Sequence, residues 1–249
     1  MAVTQSMEDQ NSTHKSVTRR RFIQVTGTVI LVAGAGCQMT AKPVKKVPSL
    51  AETLANAKYP PSDGYILVDT KKCQGCTSCM LACSLVHEGV ESQSLARIQI
   101  LQNPFEAYPD DMTIEQCRQC VDPKCVEKCP EQALGVNAEF GNVRMVDRSK
   151  CIGCGTCIEA CPFTPSRPVM TEDKDFDGEL IARKCDLCAN TPYHWDAAGG
   201  GPDGKQACVE VCPMKAIKFT KKIPEQAGEE GYKVNLRDWK WRQIGYPRS

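Results

Sequence analysis

Between Cys151 and Pro162 the chain reads CIGCGTCIEACP, four thiols at CxxCxxCxxxC spacing with a proline after the last. Thiolates at this spacing suit the corners of a [4Fe–4S] cubane, and in the bacterial form of the run the fourth cysteine serves a different cluster from the first three. Three further runs repeat the pattern. Cys73, Cys76, Cys79 and Cys83 keep the spacing, with Ser84 in place of the proline. Cys117, Cys120, Cys125 and Cys129 carry a four-residue gap, Val121 to Lys124, that includes Pro123. The last run is split: Cys185 and Cys188, then nineteen residues, then Cys208 and Cys212 followed by Pro213.

The spacing separates three chemistries. Disulfides suit an exported protein but do not need three cysteines per loop. Zinc stapling uses CxxC pairs and has no use for a third cysteine three residues on. Iron–sulfur clusters absorb sixteen of the 17 cysteines. A loop with a cysteine at every third residue can wrap three corners of a cubane, with its amides directed at the sulfides. Gly75, Gly153 and Gly155 are expected to let the backbone come close. The end of each run is expected to start a helix, with Cys157 and Cys161 facing the same way at i, i+4.

Composition agrees with a chain held by something other than a large core. Hydrophobic residues are 41% with cysteine counted among them, and aromatics only 6%. Lys+Arg 31 against Asp+Glu 30 leaves no basic excess for nucleic acid. Four clusters at about −2 each would bring the formal +1 to about −7. Little points to catalysis. Of three histidines, His14 lies in the N-terminal segment, and His87 and His194 are read as surface residues. No phosphate or dinucleotide fingerprint occurs, and no run lacks a cysteine that a substrate-binding iron would replace.

Other segments position and address these runs. Residues 1–36 have the make-up of a twin-arginine signal: Arg19-Arg20-Arg21-Phe22, then an apolar run from Val25 to Gly36. Such a signal exports folded cargo, as a protein loaded with clusters in the cytoplasm requires. The apolar run is short for a membrane-spanning helix. Cys37 is either a lipidation site or a bystander. Residues 37–63 read as a linker. Strands are expected at Tyr65–Val68, 97–101, Val143–Val146 and 216–219. Residues 222–249 end in Tyr232, Trp239, Trp241 and Tyr246, and are either folded back on their own domain or anchored in a partner.

Four runs, the second with a widened gap and the fourth split, resemble the four-cluster electron-transfer subunits of respiratory molybdopterin oxidoreductases. The likeness covers about residues 64–221. It implies an α+β chain of two nested bacterial-ferredoxin-like dicluster units, with short strands, short helices and long cysteine-rich loops. The outer unit would be 64–100 with 180–221, and the inner unit 101–179. It also implies crossed ligands. Cluster one would use Cys73, Cys76, Cys79 and Cys212; cluster two, Cys185, Cys188, Cys208 and Cys83. Cluster three would use Cys117, Cys120, Cys125 and Cys161; cluster four, Cys151, Cys154, Cys157 and Cys129. The implied role is a non-catalytic relay of single electrons in a periplasmic hetero-oligomer. Its partners would be a molybdopterin-type catalytic subunit and an integral membrane quinone-reactive subunit or cytochrome. The alternative is the iron–sulfur subunit of a sulfate-reducer-type membrane complex without a pterin subunit; a zinc-stapled module is a third reading.

Overall fold

A computed structural model describes residues 48–193, 200–228 and 231–245. The N-terminal signal reading, Cys37, His194, Trp195 and Tyr246 lie outside the described residues. The first described element departs from the linker reading. Ser49 caps a short helix, α1 (Leu50–Ala55), and Glu52 reaches back to the Ser49 amide at 2.8 Å. This reciprocal capping box satisfies donors that a short helix otherwise leaves open.

The strands come as four antiparallel pairs. β1 (Tyr65–Val68) enters the first cysteine run, which continues into α2 (Ser78–Glu88). A hairpin follows, β2 (Ile98–Gln102) with β3 (Met112–Gln116). The second run holds α3 (Lys124–Glu127). The hairpin of β4 (Leu134–Asn137) and β5 (Val143–Val146) leads into the third run and α4 (Thr156–Glu159). Next come β6 (Val169–Asp173) and β7 (Glu179–Arg183), then α5 (Ala207–Val211), β8 (Ile217–Thr220) and α6 (Trp239–Gln243).

β8 pairs with β1, Tyr65 opposite Thr220 and Val68 opposite Ile217, and so closes the outer halves of the chain on each other. α5 packs on α2, while α3 packs on α4. The expected unit boundaries at 100/101 and 179/180 fall inside β2 and β7. The β2–β3 and β6–β7 hairpins span these positions, and the main apolar cluster draws on segments from both sides of them. It joins Ile66, Val68, Ile98 and Ile217 to Ile114 and Val143 of the inner segment.

Two-stranded sheets have little stability of their own, and each apolar cluster here includes cysteines of the runs. The tail adds support. Tyr232 is buried against Tyr65, its hydroxyl donates to the Arg118 carbonyl at 2.7 Å, and Val234 N–H donates to the Val68 carbonyl at 2.8 Å. Arg237 pairs with Asp69 at 3.3 Å. Of the two readings of the tail, residues 231–237 follow the folded-back one; Trp239 and Ile244 are exposed. Among the described residues no helix is long and apolar enough to cross a membrane.

Candidate metal centres

All four runs use the same backbone device. The residue before the second cysteine is left-handed in each: Gly75 (φ 70°), Gln119 (φ 47°), Gly153 (φ 66°) and Leu187 (φ 57°). It turns the loop so that successive cysteines point inward. Glycine takes this conformation freely, whereas Gln119 and Leu187 hold it at a cost of about 1–2 kcal/mol. A Cβ on Gly153 would meet the Leu180 carbonyl oxygen at 2.4 Å, and one on Gly75 the Met112 methyl at 2.5 Å. Their neighbours are hairpin residues.

The sixteen described cysteines are all free thiols and gather into four cavities. Cys73, Cys76, Cys79 and Cys212 line one; Cys83, Cys185, Cys188 and Cys208 a second. Cys117, Cys120, Cys125 and Cys161 line a third, and Cys129, Cys151, Cys154 and Cys157 a fourth. We call these sets one to four. Among the described residues no three Cys, His, Asp or Glu side chains converge closely enough for a single metal ion. The thiols instead stand around a space, the donor arrangement of a multi-iron cubane.

In each set three thiols come from one run, which is split in set two, and the fourth comes from another run. The fourth cysteines share a second device, a backbone amide directed at Sγ. Arg97 N–H reaches Cys83 at 3.3 Å, Leu134 reaches Cys129 at 3.4 Å, Arg167 reaches Cys161 at 3.3 Å and Ala216 reaches Cys212 at 3.3 Å. Such bonds stabilise charge on sulfur and tune a bound cluster. The expected geometry of Cys157 and Cys161 is not observed. α4 ends at Glu159, so Cys161 lies beyond it and turns to set three.

Burial and crowding oppose ionisation of several of these thiols, Cys79, Cys120 and Cys157 among them. Burial raises Cys79 to about 12, and the neighbouring thiols of Cys73, Cys212 and Cys76 push the same way. Burial does the same to Cys120, also to about 12, helped by Cys117, Cys125 and Cys161. Cys157 rises to about 11, from burial and then Cys151, Cys154 and Cys129. Iron supplies the charge that would hold all four members of a set as thiolates. The same electrostatics show which sets adjoin. Cys208 feels Cys79, Cys185 feels Cys117, and Cys125 feels Cys157. The sets therefore run in the order one, two, three, four. Cys76 of set one and Cys154 of set four are exposed, and the other fourteen are buried or half-buried.

His87 is buried, not at the surface as expected. It donates to the Cys83 carbonyl at 2.7 Å and bonds Asp186 at 3.0 Å, and Arg97 binds the other Asp186 oxygen at 2.8 Å. Beyond it Glu88 joins Arg97 to Arg183, and Asp173 joins Arg183 to Arg148. Burial and Arg97 work against a charged imidazole, but Asp186 and Cys83 outweigh them and hold the pKa at about 9. Arg144 and Lys184 are buried beside set three. None of these residues stood out in the sequence. The position of Lys184 next to Cys185 was a cue, but nothing there separated a buried cation from a solvated one.

Comparison with known proteins agrees with this geometry. Residues 110–222 match the family model described as a 4Fe-4S dicluster domain. The chain is 37% identical to the aliphatic sulfonate oxidoreductase, polyferredoxin-like subunit of Pyrococcus furiosus, over 59% of this chain and 70% of that one. It is 31% identical to the Protein NrfC homolog of Haemophilus influenzae, over 81% and 78% of the two chains. It is 37% identical to the thiosulfate reductase electron transfer subunit PhsB of Salmonella typhi, over 62% and 74%. The sixteen cysteines fit four [4Fe–4S] clusters. With four cavities of four thiols each, this chain belongs to the family of 4Fe–4S dicluster iron–sulfur proteins that serve as non-catalytic electron-transfer subunits.

Proposed function

We propose that each thiol set ligates one [4Fe–4S] cluster, as the crossed assignment has it, and that electrons enter at one end of the row and leave at the other. The observation that carries this reading is the row itself: four adjoining four-cysteine cavities with an exposed cysteine only in the two terminal sets. The chain supplies the ligands, the amides that stabilise sulfur charge, and a low-dielectric surround that excludes water. The clusters supply the one-electron redox chemistry.

The relatives named for thiosulfate reductase and aliphatic sulfonate oxidoreductase support assembly with a catalytic oxidoreductase subunit in a hetero-oligomer. The proposed finer arrangement has a molybdopterin-type catalytic subunit at one end and an integral membrane quinone-reactive subunit or cytochrome at the other. Ile152 and Leu180 are exposed and flank Gly153 near Cys154, and form an apolar rim for one of these partners. The complex would lie in the periplasm, exported folded by the Arg19-Arg20 signal, with Cys37 either lipidated or unused.

The test is purification of the intact complex under anaerobic conditions. The expected result is about sixteen irons per chain, four paramagnetic centres on reduction, molybdenum or tungsten in a co-purifying subunit, and no substrate turnover by the isolated chain. Absence of both metals from an otherwise active complex would replace the pterin partner with the membrane complex that lacks one. Arg19→Lys with Arg20→Lys should leave the protein in the cytoplasm; an unchanged periplasmic yield would sink the export proposal.

A further inference from the structure

The four sets differ in one respect that bears on the order of their potentials. Among the described residues no charged side chain lines the cavity of set one, and Glu131 alone is charged in that of set four. His87 and Arg97 line set two, and both are bound to Asp186. Set three is lined by Arg118, Lys124, Arg144, Arg167 and Lys184 and by no carboxylate. Four of these cations are buried: Arg118 and Arg144 are 1% exposed, Lys184 2% and Arg167 6%.

Their partners decide how much of this charge reaches the cavity. Lys124 is half exposed and pairs with Asp122 and Glu127, and Arg167 pairs with Glu115. Arg118 lies over the rings of Tyr232, at 4.7 Å, and Phe163, at 5.8 Å. Arg144 donates to the carbonyls of Cys120 at 3.0 Å and Asn142 at 2.6 Å. Lys184 donates to the carbonyls of Arg144 and of Cys185, the latter at 3.0 Å. Arg144 and Lys184 are thus held in place by neutral oxygens, with Tyr65 also near Arg144 and the Asp186 carboxylate also near Lys184, and neither cation is hydrogen-bonded to a carboxylate. Cys117, Cys120 and Cys125 all act electrostatically on Arg144; burial raises Cys120 and Cys125, and the charge of Lys184 works against that rise in both.

A cluster with four thiolates goes from about −2 to about −3 when it takes one electron. A fixed positive charge in a poorly screened interior favours the more negative state. We infer that the cluster of Cys117, Cys120, Cys125 and Cys161 has the highest reduction potential of the four, set by the fixed charges of Arg144 and Lys184, so that the first electron to enter the relay comes to rest there. The inference rests on the ligand sets proposed above.

Stepwise reduction of the anaerobically purified holoprotein, followed by electron paramagnetic resonance, tests it in two arms. In the first, the centre reduced first in wild type should be the one whose spectrum changes in both Cys117→Ser and Cys161→Ser. In the second, the highest midpoint should fall in Arg144→Met and in Lys184→Met and return towards wild type in Arg144→Lys, at unchanged iron content. The inference is overturned if the two serine variants alter one shared centre that is not the first reduced. It is equally overturned if the highest midpoint stays in place in both methionine variants at full iron content. Serine variants that alter two different centres overturn the ligand set and the inference with it. Should a methionine variant lose iron, the serine arm decides alone.

Discussion

Cys79 and Cys83 stand one turn apart on the same helix, α2, and line different cavities. Four residues of helix put them on one face with a rise of about 6 Å between them. That offset is enough to place one thiol in each of two abutting cavities, so α2 is a wall shared by sets one and two.

Cys83→Ser is therefore expected to perturb one centre while leaving intact the centre held by Cys73, Cys76 and Cys79. Iron content and the paramagnetic spectra of the reduced protein check this. Cys79→Ser should perturb a different centre. If the two variants altered the same one, α2 would not be a shared wall.

Gly153 and Gly155 are both left-handed, at φ 66° and 75°, and differ in what surrounds them. Alanine at Gly155, which lines the set-four cavity, meets no described protein atom within 4 Å and adds a conformational penalty of about 1–2 kcal/mol. Alanine at Gly153 would also push on the Leu180 backbone in β7, which a side-chain rotation cannot relieve. Gly153→Ala should lose the set-four cluster faster than Gly155→Ala when the holoprotein is heated, as read by visible absorbance. Equal rates would contradict the model of the contact.

Tyr232 ties the tail to the relay. Its hydroxyl donates to Arg118 O at 2.7 Å and accepts from Gln226 at 2.8 Å. Tyr232→Phe keeps the ring against Tyr65 but leaves a buried carbonyl unmet, a loss of about 1–3 kcal/mol. Tyr232→Ala also removes a buried ring, for about 3–5 kcal/mol. Denaturant midpoints of cluster bleaching should fall in that order. A tail that only docked a partner would give wild-type midpoints for both variants in the isolated chain.

Asp173 is buried between Arg148 and Arg183. Burial works against its charge, but the hydrogen bonds of Arg148 and the Asp175 amide, with the charges of both arginines, hold its carboxyl below the usual range. A depressed carboxyl stabilises the fold above its unfolded value, about pH 4, and that contribution is lost as pH falls through the lower folded value. Asp173→Asn should destabilise by about 1–3 kcal/mol near neutral pH, since it leaves Arg148 with Asp175 and Arg183 with Glu88 as their remaining carboxylate partners. The gap from wild type should close below about pH 4. Denaturant midpoints across this range check it, and a gap that stayed constant would show that Asp173 does not titrate in this window.

Sequence alone determined which residues can hold clusters, because cysteine spacing is a local property and thiolates have few other uses at that density. The strands flanking the runs were legible for the same reason: short alternating segments such as Tyr65–Val68 and Val143–Val146 carry their own pattern. Tertiary structure decided what depends on segments far apart in the chain. It brought Cys212 to set one through the β1–β8 pairing, and paired strands across the positions 100/101 and 179/180. It placed His87 inside, since Asp186, 99 residues away, supplies the partner that makes burial of its ring affordable. It also put Arg144 and Lys184 beside set three. A cation in a sequence carries no mark of what it will face, and the field at each cluster is a sum over side chains that only the folded chain assembles.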